Sequence, residues 1–456
     1  MAVSLSRKIA FDVLRRVEAE GAYASDVLHA ELTAQVKPAD AALATELVMG
    51  VLRWRRLLDF LLDRQMKKPV ERLDLPVALA LRMGAYQLRF LEKVPARAAV
   101  NESVELVKRA RKLSAASLVN AVLRTIASDA KSSPEKYLPS GISAAERIAI
   151  LHSHPTWMVE RWLARLGEVQ TIALLDANNR APRLSCAVHR ADERDEIIGA
   201  LEKAGMRVEP GVLLKAAFSV TGGSPARTQA FRDGQISIQD EASQAIPLLL
   251  GVRESDRVLD LCAAPGGKTP ALIRAAGNTG AVVAADRHAH RLRAMAAQFQ
   301  RLGLQRAQLV ELDATHALPF RGEFNRILVD APCSGTGTLA RHPEIRWRLR
   351  PEQLAESSAQ QKRMLGNALA SLARGGRLVY STCSIEPEEN EDLVRAVLQE
   401  SPAIRTVSSI EAARTLAPYL ASQVNAPGLF SADDFFRTSP ATHRTDGFFA
   451  AVLEKE

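Results

Sequence analysis

One stretch constrains this chain more than any other: Asp260-Leu261-Cys262-Ala263-Ala264-Pro265-Gly266-Gly267-Lys268-Thr269. The apolar run before it, Arg257-Val258-Leu259, predicts a short buried strand. The run after it, Pro270-Ala271-Leu272-Ile273-Arg274, predicts a helix with Pro in its first turn. Strand, glycine-rich turn and helix bring backbone N–H groups close to a nucleotide-like ligand, and the paired glycines allow an approach that a Cβ would block. Neither common phosphate-binding pattern fits. A dinucleotide fingerprint needs spaced glycines, whereas Gly266 and Gly267 are adjacent. A Walker-type loop needs glycine where this chain has Cys262. A dinucleotide or triphosphate is therefore disfavoured, and a ligand with little phosphate is allowed. A tight turn with no ligand is the plainer alternative.

Three further apolar runs end in acids. Ala281-Val282-Val283-Ala284-Ala285 ends at Asp286, twenty residues after Gly266, where an acid can bind ribose hydroxyls. Gln308-Leu309-Val310-Glu311-Leu312 ends at Asp313, which could meet an adenine amino group. Arg326-Ile327-Leu328-Val329 ends at Asp330, which opens Asp330-Ala331-Pro332-Cys333-Ser334-Gly335-Thr336-Gly337-Thr338. A single such acid is ordinarily a cap or turn residue. A series of them lines the crevice where doubly wound sheets bind ligands.

The stretch 260–269, the run 330–338 and Tyr380-Ser381-Thr382-Cys383-Ser384 after Gly376-Arg377-Leu378-Val379 together resemble the RNA 5-methylcytosine methyltransferases. His342-Pro343-Glu344-Ile345-Arg346-Trp347 and Thr445-Asp446-Gly447-Phe448-Phe449 fit the same family, so the resemblance spans roughly residues 230–456. It implies S-adenosyl-L-methionine as cofactor, held by Cys262, Ala263, Ala264, Pro265, Gly266, Gly267 and Lys268 with Asp286, Asp313 and Asp330. It also implies Cys383 as nucleophile, Cys333 as the residue assisting product release, and Asp330 against the ring edge. The chemistry is consistent. Carbon 5 of cytosine is a poor nucleophile until a thiolate adds at carbon 6, and a base must then remove the carbon-5 proton. DNA-modifying relatives use the Pro-Cys position instead, which keeps the reversed assignment open. A buried structural Cys pair is the bland alternative. The base must leave its stack, so the substrate is single-stranded or locally opened RNA.

The chain's 456 residues suggest about three domains by the length prior, and 47% hydrophobic with 25% charged residues suits a soluble protein with packed cores. No apolar run is long enough to span a bilayer, and no secretory segment shows at the start; a cytoplasmic protein is expected. The four cysteines, Cys186, Cys262, Cys333 and Cys383, show no zinc spacing. No metal is expected, and His152-Ser153-His154 reads as packing or capping. Residues 1–130 read as a helical bundle punctuated at Gly50, Gly84 and Pro95. Residues 51–112 carry a basic excess as large as the +8 of the whole chain, densest at Trp54-Arg55-Arg56, Lys67-Lys68 and Lys108-Arg109-Ala110-Arg111-Lys112. Phosphate binding is the functional reading and a solvated helix face the bland one. The bundle resembles the antitermination-factor (NusB-like) RNA-binding domain that some rRNA methyltransferases of this family carry.

Residues 130–143 read as a linker, 145–228 as a linker helix and a small α+β module, ferredoxin-like by analogy, and 229–456 as the catalytic domain. Gln239 and Asp240 receive a supporting role. The expected fold is α/β: a Rossmann-like S-adenosylmethionine methyltransferase domain preceded by an all-α NusB-like bundle and the α+β module. The implied reaction is methylation of carbon 5 of a specific cytosine in 16S rRNA, of the position-967 type, by a protein expected to be monomeric. A tRNA cytosine-5 methyltransferase and a non-catalytic RNA-binding or antitermination factor are the alternatives.

Overall fold

The computed structural model describes every residue except Met1, Ala2, Ala34, Gln305 and Arg321, and the side chain of Ala191. The chain forms two compact units. One runs to Ala181 and takes in Leu339–Arg348; the other comprises Pro182–Thr338 and Leu349–Glu456.

The first unit is helical: α1 (Leu5–Glu20), α2 (Ala24–Glu31), α3 (Pro38–Asp63), α4 (Leu75–Phe90), α5 (Ala96–Arg109), α6 (Ala116–Asp129), α7 (Ala144–Leu151) and α8 (Thr156–Asn179). Apolar residues at helical spacing, such as Val13, Leu14 and Val17 of α1, fill one core with Leu47, Val51 and Leu58 of α3. Gly50 and Gly84 do not punctuate helices here. They lie inside α3 and α4, where a Cβ would come 2.0 Å from Tyr86 Cζ and 2.4 Å from Leu123 Cδ1 respectively. What reads locally as a breaker is, in the fold, a close helix crossing. The expected linker is also folded: Leu138 and Ile142 pack on the helical core, and the Arg64 guanidinium stacks 3.5 Å over the Tyr137 ring.

The ten residues 339–348 complete this unit. Arg346 is fully buried and donates to Asn179 Oδ1 at 2.8 Å, Ser153 O at 3.1 Å and Asn178 O at 3.2 Å. Trp347 Nε1 donates to Leu52 O at 2.6 Å, and Arg348 reaches Val17 O at 2.6 Å and Ala22 O at 2.7 Å. The Ala24 amide donates to buried Glu344 at 3.0 Å. Burial pushes the Arg346 guanidinium down to about 9. An isolated buried charge costs several kcal/mol, so these oriented carbonyls are what keep it there.

In the second unit, β1 (Leu184–Val188), α9 (Arg194–Lys203), β2 (Arg207–Pro210), β3 (Ala217–Thr221), the turn α10 (Gln229–Arg232) and β4 (Ile236–Ile238) form an antiparallel sheet in the order β2-β3-β1-β4. β4 lies beyond residue 228, so the small module takes its edge strand from the stretch read as the start of the catalytic domain. After α11 (Glu241–Leu249) the main sheet begins: β5 (Arg257–Leu261), α12 (Thr269–Ala276), β6 (Ala281–Asp286), α13 (Ala289–Arg301), β7 (Ala307–Glu311), β8 (Phe324–Asp330), β9 (Leu372–Thr382), β10 (Ile404–Thr406), β11 (Phe436–Arg437) and β12 (Phe449–Lys455). Its order is β10-β12-β9-β8-β5-β6-β7, with β11 paired to β12.

Strands β5 to β9 are parallel, and β12 runs antiparallel against β9. Alternate residues feed opposite faces. Val258 and Leu328 pack with α11, α12 and α13, whereas Leu259, Leu261 and Val329 pack with Met364, Leu365 and Val394. The strand order reverses between β5 and β8, and the crevice of such a sheet opens there, at the strand C-termini.

Candidate active site

The glycine-rich turn leaves β5 at this switch point. Cys262 and Gly266 both take positive φ, +59° and +95°. At Gly266 a Cβ would also come 2.8 Å from Met295 Cγ, so α13 packs directly on the turn. Gly267 faces only the amide of Gln239, which a Cβ would meet at 3.4 Å. Lys268 caps α12. Its Nζ lies 2.5 Å from Asp330 Oδ2 and 5.1 Å from the centre of the Phe448 ring.

The acids are where the strand ends put them. Asp286, closing β6, accepts from the His288 amide at 2.9 Å and the Ala264 amide at 3.3 Å. Asp313 lies two residues past β7 and accepts from the Thr315 amide at 2.9 Å and hydroxyl at 2.7 Å, which hold its carboxyl below the usual range. Asp330, closing β8, accepts from Ser381 Oγ at 2.9 Å as well as from Lys268. Asp260, beneath the turn, accepts from Thr269 Oγ1 at 2.6 Å; its Oδ1 is buried without a partner among the described residues, and burial pushes the carboxyl up to about 7. Burial first, then the field of Asp286, Asp330, Asp260 and Asp313, pushes the Cys262 thiol well up.

Three carboxylates, Asp286, Asp313 and Asp330, against one ammonium favour hydroxyls, amino groups and a cationic sulfonium, and repel phosphate. This donor set fits S-adenosylmethionine, whose ribose, adenine and sulfonium all suit acid partners. Among the described residues, no group of three or more His, Cys, Asp or Glu side chains is placed to hold a metal ion. His154 is fully buried, with Nδ1 2.7 Å from His152 O, and packs edge-on to Trp162.

The thiols meet. Asp330 pairs with Ser381 across β8 and β9, and the loops that follow bring Cys333 Sγ to 3.2 Å from Cys383 Sγ. A tight glycine crossing supports them. The Gly337 amide donates to Cys383 O at 2.9 Å, the Gly447 amide donates to Gly337 O at 2.8 Å, and a Cβ on Gly337 would come 2.1 Å from Gly447 O. Sequence reasoning did not single out Glu389 and Gln361, which stand behind Cys333. Nothing in the local pattern Pro387-Glu388-Glu389-Asn390-Glu391 marks which acid turns inward.

Part of the basic excess in the helical unit serves its own architecture. Arg55 pairs with Glu18 at 3.1 Å, Arg56 with Glu146 at 2.6 Å, and buried Arg82 with Asp59 at 2.7 Å; Arg53 donates to Ala340 O at 2.9 Å. In the Trp54-Arg55-Arg56 cluster, both arginines thus have acidic partners within the helical unit. Lys67, Lys68, Lys108, Arg109 and Arg111 remain exposed.

A doubly wound sheet read at its switch point through carboxylates, with paired thiols on the next two strand ends, defines a Rossmann-like methyltransferase. Comparison with known proteins narrows this class. Residues 247–454 match the family described as 16S rRNA methyltransferase RsmB/F, residues 4–128 the NusB family, and residues 154–226 the ferredoxin-like domain of RsmF/B-like methyltransferases. A Bacillus subtilis protein named probable ribosomal RNA small subunit methyltransferase B is 32% identical over 454 residues, covering 99% of this chain and 98% of the relative. A Salmonella paratyphi C protein named ribosomal RNA small subunit methyltransferase B is 33% identical, covering 94% of this chain and 97% of its own. The crystal structure of PH0851 superposes with a TM-score of 0.81 at 25% identity, covering 100% of both chains. That of a methyltransferase homolog from Pyrococcus horikoshii gives 0.57 at 27%, covering 69% of this chain and 100% of that one. The chain belongs to the 16S rRNA methyltransferase RsmB/F family. Among the described residues, no helix is long and apolar enough to cross a membrane.

Proposed function

We propose that the protein methylates carbon 5 of a specific cytosine in 16S rRNA, of the position-967 type, through a transient Cys383–cytosine bond. The observation that carries this reading is the approach of two thiols to 3.2 Å beside an acid-lined crevice. Bound S-adenosylmethionine supplies an electrophilic methyl group. Residues 262–268 form its floor, and Asp286 and Asp313 receive its ribose and adenine. Cys383, as thiolate, adds to carbon 6. Asp330, positioned by Lys268 and Ser381, holds the charge that develops at the ring nitrogen when it is protonated or hydrogen-bonded to the ring edge, and the electron pair is delivered from carbon 5. After methyl transfer a base, such as a water molecule, takes the carbon-5 proton, the electron pair of that C–H bond re-forms the double bond to carbon 6, the carbon–sulfur bond breaks and the Cys383 thiolate is restored. Cys333 assists this release.

Bisulfite mapping of total RNA from cells with and without the protein tests the reading. The expected result is loss of one 5-methylcytosine in small-subunit rRNA. Loss in tRNA alone would favour the tRNA alternative. Unchanged maps with intact RNA binding would favour a non-catalytic binding factor.

A further inference from the structure

A polar cluster that no step above uses lies behind Cys333. Gln361, on the helix Glu352–Ala370, and Glu389, in the 3-10 turn Pro387–Glu389 after β9, are both fully buried. Gln361 Nε2 donates to Pro332 O at 2.8 Å and to Glu389 Oε1 at 3.1 Å. The Ser334 amide donates to Glu389 Oε1 at 2.8 Å, and the Ser334 hydroxyl to Oε2 at 2.5 Å. The backbone groups on both sides of Cys333 are therefore held by the same two side chains. The Tyr380 hydroxyl donates to Glu389 O at 2.7 Å and fixes the turn itself. Ser384 Oγ, one residue past Cys383, meets Ser334 Oγ at 3.0 Å, so the two cysteine loops are joined.

The choice of a carboxylate is informative. The hydrogen-bond partners of Glu389 are neutral, and burial, the largest influence on it, pushes its carboxyl up. A buried carboxylate held only by neutral donors is costly, and an amide would fill the same space more cheaply.

We infer that Glu389, together with Gln361, is the positioning pair for Cys333, clamping the backbone on both sides of it so that its thiol stands against Cys383 for the release step. This rests on the proposed role of Cys333 in release. The groups facing the Cys333 thiol are Cys383, Glu389 and Tyr380. The contact with Cys383, then burial, then the nearby charges including Glu389, all push that thiol up. These contacts favour the protonated thiol at Cys333, the partner held for release rather than attack.

The test uses full-length Glu389→Gln, which keeps an acceptor for the Ser334 amide and removes the charge. It is compared with Cys333→Ala on protein-free small-subunit rRNA with S-adenosylmethionine. The expected signature is a split: the first methyl transfer within roughly threefold of wild type, steady-state turnover down at least about tenfold, and a protein–RNA band persisting on denaturing gels. In the Cys333→Ala background, Glu389→Gln should add no further slowing, because both act on one step. Should Glu389→Gln fail to fold, Gln361→Met removes the donor to Pro332 O and must give the same split. Normal turnover without a trapped band in the folded variant, or an equal further loss on the Cys333→Ala background, overturns the clamp. If Cys333→Ala itself traps nothing, the release reading fails and the clamp falls with it. A trapped band in Cys333→Ala alone condemns only the clamp.

Discussion

Cys333 and Cys383 are 3.2 Å apart, yet their substitutions should fail in different ways. Attack precedes methyl transfer and elimination follows it, so each loss stalls a different step. Cys383→Ala should abolish transfer and leave no protein–RNA band on a denaturing gel, whereas Cys333→Ala should methylate and stay bound. The opposite pattern would exchange the roles, and full activity in both variants would end covalent catalysis by these thiols. Asp286→Ala should weaken cofactor binding in calorimetry without unfolding the domain; unchanged affinity would remove the ribose assignment. Asp260 makes a prediction about pH. Its carboxyl is raised to about 7 in the fold, against roughly 3.9 unfolded, so between these values the native state binds more protons. Stability must therefore fall as pH rises through that window, by up to about 4 kcal/mol from this group. Asp260→Asn should flatten that part of the profile in denaturant titrations at pH 5 and pH 8. A loss as steep as in wild type would show that the group is ionised in the fold.

Within the helical unit, the exposed end of α5 is the element expected to meet RNA. Lys108 pairs with Glu105 and Lys112 with Asp74, both at 2.7 Å, but such surface pairs contribute only about 0–1 kcal/mol and yield readily to phosphate. Neutralising Lys108, Arg109, Arg111 and Lys112 should weaken RNA binding and reduce its salt slope, by roughly 0.7 for each phosphate no longer neutralised. An unaltered slope would make the cluster a solvated face. This region also shows what was legible in sequence. The parallel strands were plain, because runs such as Val258-Leu259 and Ile327-Leu328-Val329 are buried on both faces and end in acids that need the crevice. Helix spacing in α1 and α3 was plain for the same reason of periodicity. Gly50 and Gly84 were misread, because a glycine at a helix crossing differs from a breaker only in its long-range partner. Glu389 and Gln361 were invisible for that reason too: the residues they hold lie 55 and 29 positions away in the chain.

The whole molecule is built out of sequence order, because residues 339–348 complete a unit whose other residues end at Ala181. Arg346→Ala in the full chain would leave the buried acceptors on Ser153 and Asn178, and the half-buried one on Asn179, without their donor. Each buried acceptor left without its donor typically costs about 1–3 kcal/mol, and the melting temperature should drop accordingly in calorimetry. Arg346→Lys should recover little, since one ammonium cannot span acceptors that a planar five-donor fork reaches. A melting temperature within a degree of wild type for Arg346→Ala would refute this anchoring role. The arrangement also bears on how the protein is made. A ribosome emits the helices first, at roughly 5–20 residues per second, so about 10–30 s pass between Ala181 and the emergence of the segment that closes them. During that interval the nascent helices carry an unfilled groove of backbone carbonyls, and the strands from β1 to β8, with the first of the two thiols, are synthesised before it is filled. The first unit to be translated is thus finished only after most of the second has left the ribosome.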